Sequence, residues 1–102
     1  MFSKQAWKEI ARSLNLSRRH LQIAQGIFDD YTDAAIADNL NLSAHTVHTY
    51  CERVYRKLGV TGRVKLVLRV VDEYMVLTHA RETKQPPVSA NFAAADRPLR
   101  RG

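Results

Sequence analysis

All three prolines of this 102-residue chain fall at positions 86, 87 and 98. Residues 1–85 therefore lack the one residue that cannot continue a helix. Only Gly26, Gly59 and Gly62 interrupt the same stretch, and its apolar residues recur at spacings of three and four rather than in alternation. That pattern is helical, so the expected fold class is all-α. Five helices are expected. The first spans about residues 4–14, capped by Ser3, with Ala6, Trp7, Ile10, Ala11 and Leu14 on one face. The second follows Ser17, carries Leu21, Ile23, Ala24, Ile27 and Phe28, and ends at Asp29-Asp30. The third starts at Thr32 or Asp33 and runs through Ala34, Ala35, Ile36 and Ala37 to about Asn39. The fourth follows Ser43, presents Val47, Cys51, Val54 and Leu58, and stops at Gly59, a residue suited to a helix C-terminus. The fifth runs from about Gly62 or Arg63 to His79.

Length and composition narrow the function classes. A chain of 102 residues allows one domain, and 45% apolar with 25% charged residues is globular composition that excludes wholesale disorder. The domain is expected over residues 16–80, preceded by an extra helix in 1–15. Lys84-Gln85-Pro86-Pro87 opens an Ala-rich end, so 81–102 is expected to be a disordered tail. Cys51 is the single cysteine and cannot form an intrachain disulfide. Residues 1–5 show no basic region followed by an apolar core, so no export signal is expected. The richest apolar stretch, 64–77, is broken by Lys65, Arg69, Asp72 and Glu73, and is shorter than the roughly 20 residues a bilayer requires. The expected location is the cytoplasm, with the nucleoid, and no membrane partner is expected.

A net charge of +6 points to a polyanionic partner. The charge is unevenly placed. Residues 41–69 hold six bases (Arg53, Arg56, Lys57, Arg63, Lys65, Arg69) against one acid, Glu52, while residues 1–40 are neutral. The excess coincides with a helix-turn-helix pattern. Ala37 permits close approach of two helices, Asn41 tolerates the left-handed turn between them, and Ile36, Leu42 and Val47 close a small core. With Val47, Cys51, Val54 and Leu58 facing that core, Ala44, His45, His48, Thr49, Glu52 and Arg56 turn outward. Such a face fits the major groove of duplex DNA, with His48 and Thr49 at base edges and Glu52 accepting from a cytosine amino group. His45, His48 and Cys51 are all possible zinc ligands, but Cys51 belongs to the buried stripe and no second cluster completes four ligands. No metal, cofactor, small-molecule ligand or catalytic site is expected.

Leu16-Ser17-Arg18-Arg19, Ile36-Ala37, Ser43-Ala44-His45-Thr46-Val47, Tyr55-Arg56-Lys57-Leu58-Gly59-Val60 and Arg63 occur in this order without gaps. Together they resemble the LuxR/FixJ (GerE-type) helix-turn-helix family of bacterial transcription regulators, over about residues 16–68. The resemblance implies sequence-specific binding of double-stranded DNA by a recognition helix over about 44–58. It implies base reading by Ala44, His45, His48, Thr49 and Glu52. It also implies phosphate contacts by Ser17, Thr32, Thr46, Tyr50, Arg53, Arg56, Lys57 and Arg63. His20 and Ala35 stand where the family usually has glutamate and Asp30 where glycine is common, all three off the reading surface, so they bear on local ion pairing and turn geometry. His48 stands where lysine is frequent and, with Glu52, matches a base-reading position of the family, so the preferred DNA sequence is expected to differ from that of commoner relatives. On the fifth helix Val64, Val67, Leu68, Val71 and Met75 form one apolar stripe, and Leu66, Val70, Tyr74 and Leu77 much of another. One face can enter the small core, and the surplus is read as a homodimer interface over Val64, Val67, Leu68, Val71 and Met75, which the resemblance supports, or else as a core thickened by the Trp7 helix. Two other functions fit the pattern. One is a promoter-binding module like sigma-factor region 4, with RNA polymerase as partner. The other is a helical protein-interaction module without DNA binding. No receiver or ligand-sensing domain is expected in the chain.

Overall fold

The structure, a computed structural model, describes residues 2–82 and forms there five α-helices: α1 (Lys4–Leu14), α2 (Arg18–Phe28), α3 (Asp33–Leu40), α4 (Ala44–Leu58) and α5 (Arg63–Glu82). No strand occurs among the described residues. The expected tail, beyond its first two residues, lies outside them. Those two belong to α5, which continues three residues past the expected end at His79. Ala80, Arg81 and Glu82 favour helix, and no breaker precedes Pro86.

The first four helices begin and end by the same devices. Ser3, Ser17, Thr32 and Ser43 adopt extended backbone, and each side-chain oxygen accepts from the amide three residues on, at 3.0–3.1 Å. Each bond satisfies a first-turn amide that has no carbonyl partner inside the helix. At the other ends Asn15, Asp30, Asn41 and Gly59 take φ values of 58, 65, 60 and 69°. The next residue in each case, Leu16, Tyr31, Leu42 or Val60, donates its amide back five residues at 2.8–2.9 Å. These are Schellman turns, in which a left-handed residue reverses the chain and lets the following apolar residue fold back. Leu16, Leu42 and Val60 pack against the core. The expectation for Asn41 holds, and Asp30 adopts the conformation for which glycine is the easier residue.

Trp7, Ile10, Ile23, Ala24, Ile27, Ile36, Ala37, Val47, Cys51, Val54, Leu66 and Val70 form one buried cluster, and no polar or charged residue is buried among the described residues. On α5 the division between its two stripes is sharp. Leu66 and Val70 are 0% exposed and Tyr74 and Leu77 half-buried, whereas Val64 is 72%, Leu68 58% and Met75 61% exposed. α1 packs on α5 on the Leu66, Val70 and Tyr74 side, so the Trp7 helix thickens the core there and leaves Val64, Leu68 and Met75 outside it. Phe2 stacks on Tyr74 at 4.4 Å and meets Trp7 edge-on at 5.3 Å, while Trp7 meets Phe28 at 5.3 Å. The same two helices are tied by the Ser13 hydroxyl, which donates to Glu73, and Glu73 also accepts from Arg69 at 2.9 Å. The Ser13 hydrogen bond first, and Arg69 beside it, hold the Glu73 carboxyl below its ordinary 4.5 against the opposing effect of burial.

Gly26, in the interior of α2, is a poor helix former whose reason lies across the interface. A Cβ there would stand 2.8 Å from Ile36 Cγ1 and 2.9 Å from Ile36 Cδ1. Ile36 is buried and β-branched, with little freedom to retreat. Helix propensity alone would make Gly26→Ala stabilising by about 1 kcal/mol, but overpacking costs about 1–3 kcal/mol. The expected net result is destabilisation by about 1 kcal/mol in denaturant unfolding. A gain in stability would show that α2 and α3 do not approach this closely.

Candidate nucleic-acid interface

α3, the Asn41 turn and α4 form the expected helix-turn-helix, with Ile36, Ala37 and Val47 buried and Leu42 half-buried between them. Burying Val47, Cys51 and Val54 turns the opposite side of α4 to solvent. Ala44, His45, His48, Glu52, Arg53, Arg56 and Lys57 are exposed, while Thr46, Thr49 and Tyr50 are partly covered. The five residues expected to read bases therefore share one face. At its leading end Ser43 Oγ accepts the Thr46 amide at 3.1 Å and its hydroxyl donates to Thr46 Oγ1 at 2.8 Å, which leaves the Thr46 hydroxyl proton free to donate outward.

The amino-terminal ends of α2 and α3 both approach α4. His20, one turn after the Ser17 cap, stands edge-on to the Tyr50 ring at 6.1 Å, and the Arg53 guanidinium lies over the same ring at 5.9 Å. Burial first, then the charges of Lys57 and Arg53, lower the His20 pKa from its ordinary 6.5. Burial and the neighbouring cations thus both disfavour the charged imidazole. Ser17 and Thr32 remain exposed at the positive ends of their helices, where an anion is favoured.

The six bases counted over residues 41–69 separate into two kinds. Arg53, Arg56, Lys57 and Lys65 make no ion pair among the described residues. Arg69 pairs with Glu73 at 2.9 Å and lies 3.9 Å from Asp72. Arg63, expected on phosphate, donates to Asp33 Oδ1 at 3.1 Å. Asp33 is the residue that sequence reasoning missed. In the sequence it marks only a possible start of the third helix, but its side chain reaches residues of α4 and α5. Its Oδ2 lies 3.7 Å from His48 Nδ1, and His48 Nε2 lies 3.9 Å from Glu52 Oε2. No sequence signal joins Asp33 to Arg63, thirty residues on.

Cys51 is on the inner side, its Sγ 3.8 Å from Asp33 Oδ1. Burial, reinforced by the Asp33 carboxylate, pushes its thiol up to about 11. A thiol held protonated is neither a nucleophile nor a ready metal ligand. Among the described residues no three His, Cys, Asp or Glu side chains converge to hold a metal ion, and no helix is long and apolar enough to cross a membrane.

Residues 14–70 match the family GerE, the bacterial regulatory proteins of the luxR family. The response regulator GacA of Pseudomonas aeruginosa is 42% identical over 62 residues, which cover 61% of this chain and 29% of GacA. The HTH-type transcriptional regulator MalT of Yersinia pestis is 34% identical over 59 residues, covering 58% of this chain and 6% of MalT. The chain thus spans less than a third of the length of either relative. No solved structure matches it significantly. The family match covers more than half of the chain, from the end of α1 to the middle of α5, and takes in the whole helix-turn-helix: the chain belongs to the luxR family of bacterial regulatory proteins.

Proposed function

We propose that the chain is a sequence-specific DNA-binding regulator of transcription, with α4 in the major groove. The observation that carries this reading is the outer face of α4. Small and polar side chains (Ala44, His45, His48, Thr49, Glu52) are flanked on the same helix by three bases, Arg53, Arg56 and Lys57, that make no ion pair among the described residues. Phosphates attract the bases and supply affinity for any duplex, and base edges distinguish one sequence from another. Ser17, Thr32, Thr46 and Tyr50 extend the phosphate track to the ends of α2, α3 and α4. The relatives named regulators, GacA and MalT, support the same reading. It places the protein in the cytoplasm with the nucleoid and gives it no catalytic role.

We further propose that it acts as a homodimer through α5. Val64, Leu68, Val71 and Met75 follow one another at spacings of four, three and four, the seam of a two-helix packing, and all four are exposed. Val67 borders them, half-buried. A second copy presenting the same stripe would remove this surface from water, and two copies would read a two-fold site with half-sites about one helical turn apart.

Phosphate anchors and base readers should part company on mutation. Lys57→Ala is expected to weaken selected and random duplexes alike and to reduce the log-log salt slope by about one. His48→Ala or Glu52→Ala should instead relax preference at one or two base pairs per half-site, by about 1–3 kcal/mol each, with the slope nearly unchanged. Equal losses on all sequences from the two latter variants would contradict this orientation of α4. For the dimer, Met75→Glu should yield monomers in sedimentation where the wild type self-associates, since a buried carboxylate without a partner is strongly disfavoured. A wild type that remains monomeric at micromolar concentration, with and without DNA, would refute it.

A further inference from the structure

We propose that Asp33 is a specificity-determining residue of the α4 surface: it keeps Arg63 off the phosphate backbone, and it makes the ground beside His48 suited to a base amino group rather than a phosphate. The proposal rests on the DNA-binding reading above and concerns a residue which that reading does not use. Four side chains from three helices carry it. Asp33, at the start of α3, accepts from Arg63, at the start of α5, at 3.1 Å. Its second oxygen lies 3.7 Å from His48 on α4, and the far nitrogen of His48 lies 3.9 Å from Glu52. Two carboxylates thus bracket the imidazole on the outer face, while Arg53, Arg56 and Lys57 on the same helix have no carboxylate partner among the described residues.

The consequence follows from what each part of DNA offers. Phosphate charge supplies affinity without regard to sequence, so every additional free cation strengthens binding to the wrong duplex as much as to the right one. An arginine offers a phosphate two parallel N–H bonds. In Arg63 one Nη is already donated to Asp33, and the pair is neutral as a unit. Carboxylates, for their part, only accept. Next to DNA they repel phosphates and the acceptor edges of bases, and they favour the exposed amino groups of cytosine N4 and adenine N6 in the major groove. A sequence without such a donor at this point leaves Asp33 and Glu52 opposed to DNA with nothing in return. Asp33 therefore lowers affinity for random duplexes more than for the correct one.

The test uses the full chain, a potassium chloride titration, and two probes: a pool of random-sequence duplexes and the duplex the wild type selects from that pool. Asp33→Asn should bind random duplexes about five- to tenfold more tightly near 0.1 M salt, with a slope steeper by about one, because Arg63 becomes free to meet a phosphate. The ratio of selected to random affinity should fall about tenfold. Asp33→Asn combined with Arg63→Gln removes both charges together and should keep the wild-type slope while still losing the preference. A residue with a merely structural role would weaken both probes in parallel. The combined variant also carries the test if Asp33→Asn alone loses its helical circular dichroism. A combined variant whose slope is shallower by about one would mean that Arg63 already touches phosphate, and would overturn the proposal. An unchanged selected-to-random ratio in either variant would do the same. Absence of salt-dependent DNA binding by the wild type would remove the DNA-binding reading itself, and this proposal with it. With wild-type binding intact, the variants judge Asp33 alone.

Discussion

Ile36 packs on the bare backbone at Gly26, the point where α3 meets α2, and the broader packing of α3 on α4 and of α4 on α2 sets the path by which the chain turns into α4. Burying one isoleucine of this kind is worth about 1.5–3 kcal/mol, a large share of the stability a small domain possesses. The Asn41 turn converts that anchored position into a direction. Its left-handed residue sends Leu42 back onto the core and starts α4 at the Ser43 cap. Once α4 is begun there, burial of Val47, Cys51 and Val54 decides which of its residues face water. The composition of the outer face then follows without any separate force to orient it.

Charge plays a different part from packing. Among the described residues no polar or charged residue is fully buried, and the pair of Asp33 with Arg63 lies where water screens it. Asp33 and Arg63 remain 38% and 34% exposed, and a pair of that kind contributes about 0–1 kcal/mol to folding. Its importance is in what the surface offers a ligand. A guanidinium held by a carboxylate presents less charge to a polyanion than Lys57 or Arg56 a short distance away. Net charge counted along the sequence treats these residues as equal, and the structure separates them. His20 is a second such case, since burial and the charges of Lys57 and Arg53 lower its pKa and so work against a further cation beside the Tyr50 ring.

The helices were legible because their signals are local. Ser and Thr caps, Asn41 and Gly59 at chain reversals, and apolar spacing of three and four each act within a few residues, and all five helices formed where those signals stand. Which stripe of α5 enters the core was not legible, because both stripes are apolar and the choice depends on how α1 and α2 pack against it. The aromatic contact of Phe2 with Tyr74 that seals α1 to α5 joins residues far apart in sequence. Asp33 escaped for the same reason, since its partners are on other helices. The outward set on α4 could be read from its apolar stripe, whereas the network around His48 needed three helices in place.

The most direct measurement of whether the outer face of α4 meets DNA is a residue-by-residue map of backbone amide shifts when the full chain is titrated with the duplex it selects. The account predicts that the largest changes fall on Ala44, His45, His48, Thr49 and Glu52, with a second set at the starts of α2 and α3 around Ser17 and Thr32. α1 and the Leu66 and Val70 side of α5 should change little. Shifts confined to α1 and α5, or no change at α4 under conditions where binding is saturated, would contradict it.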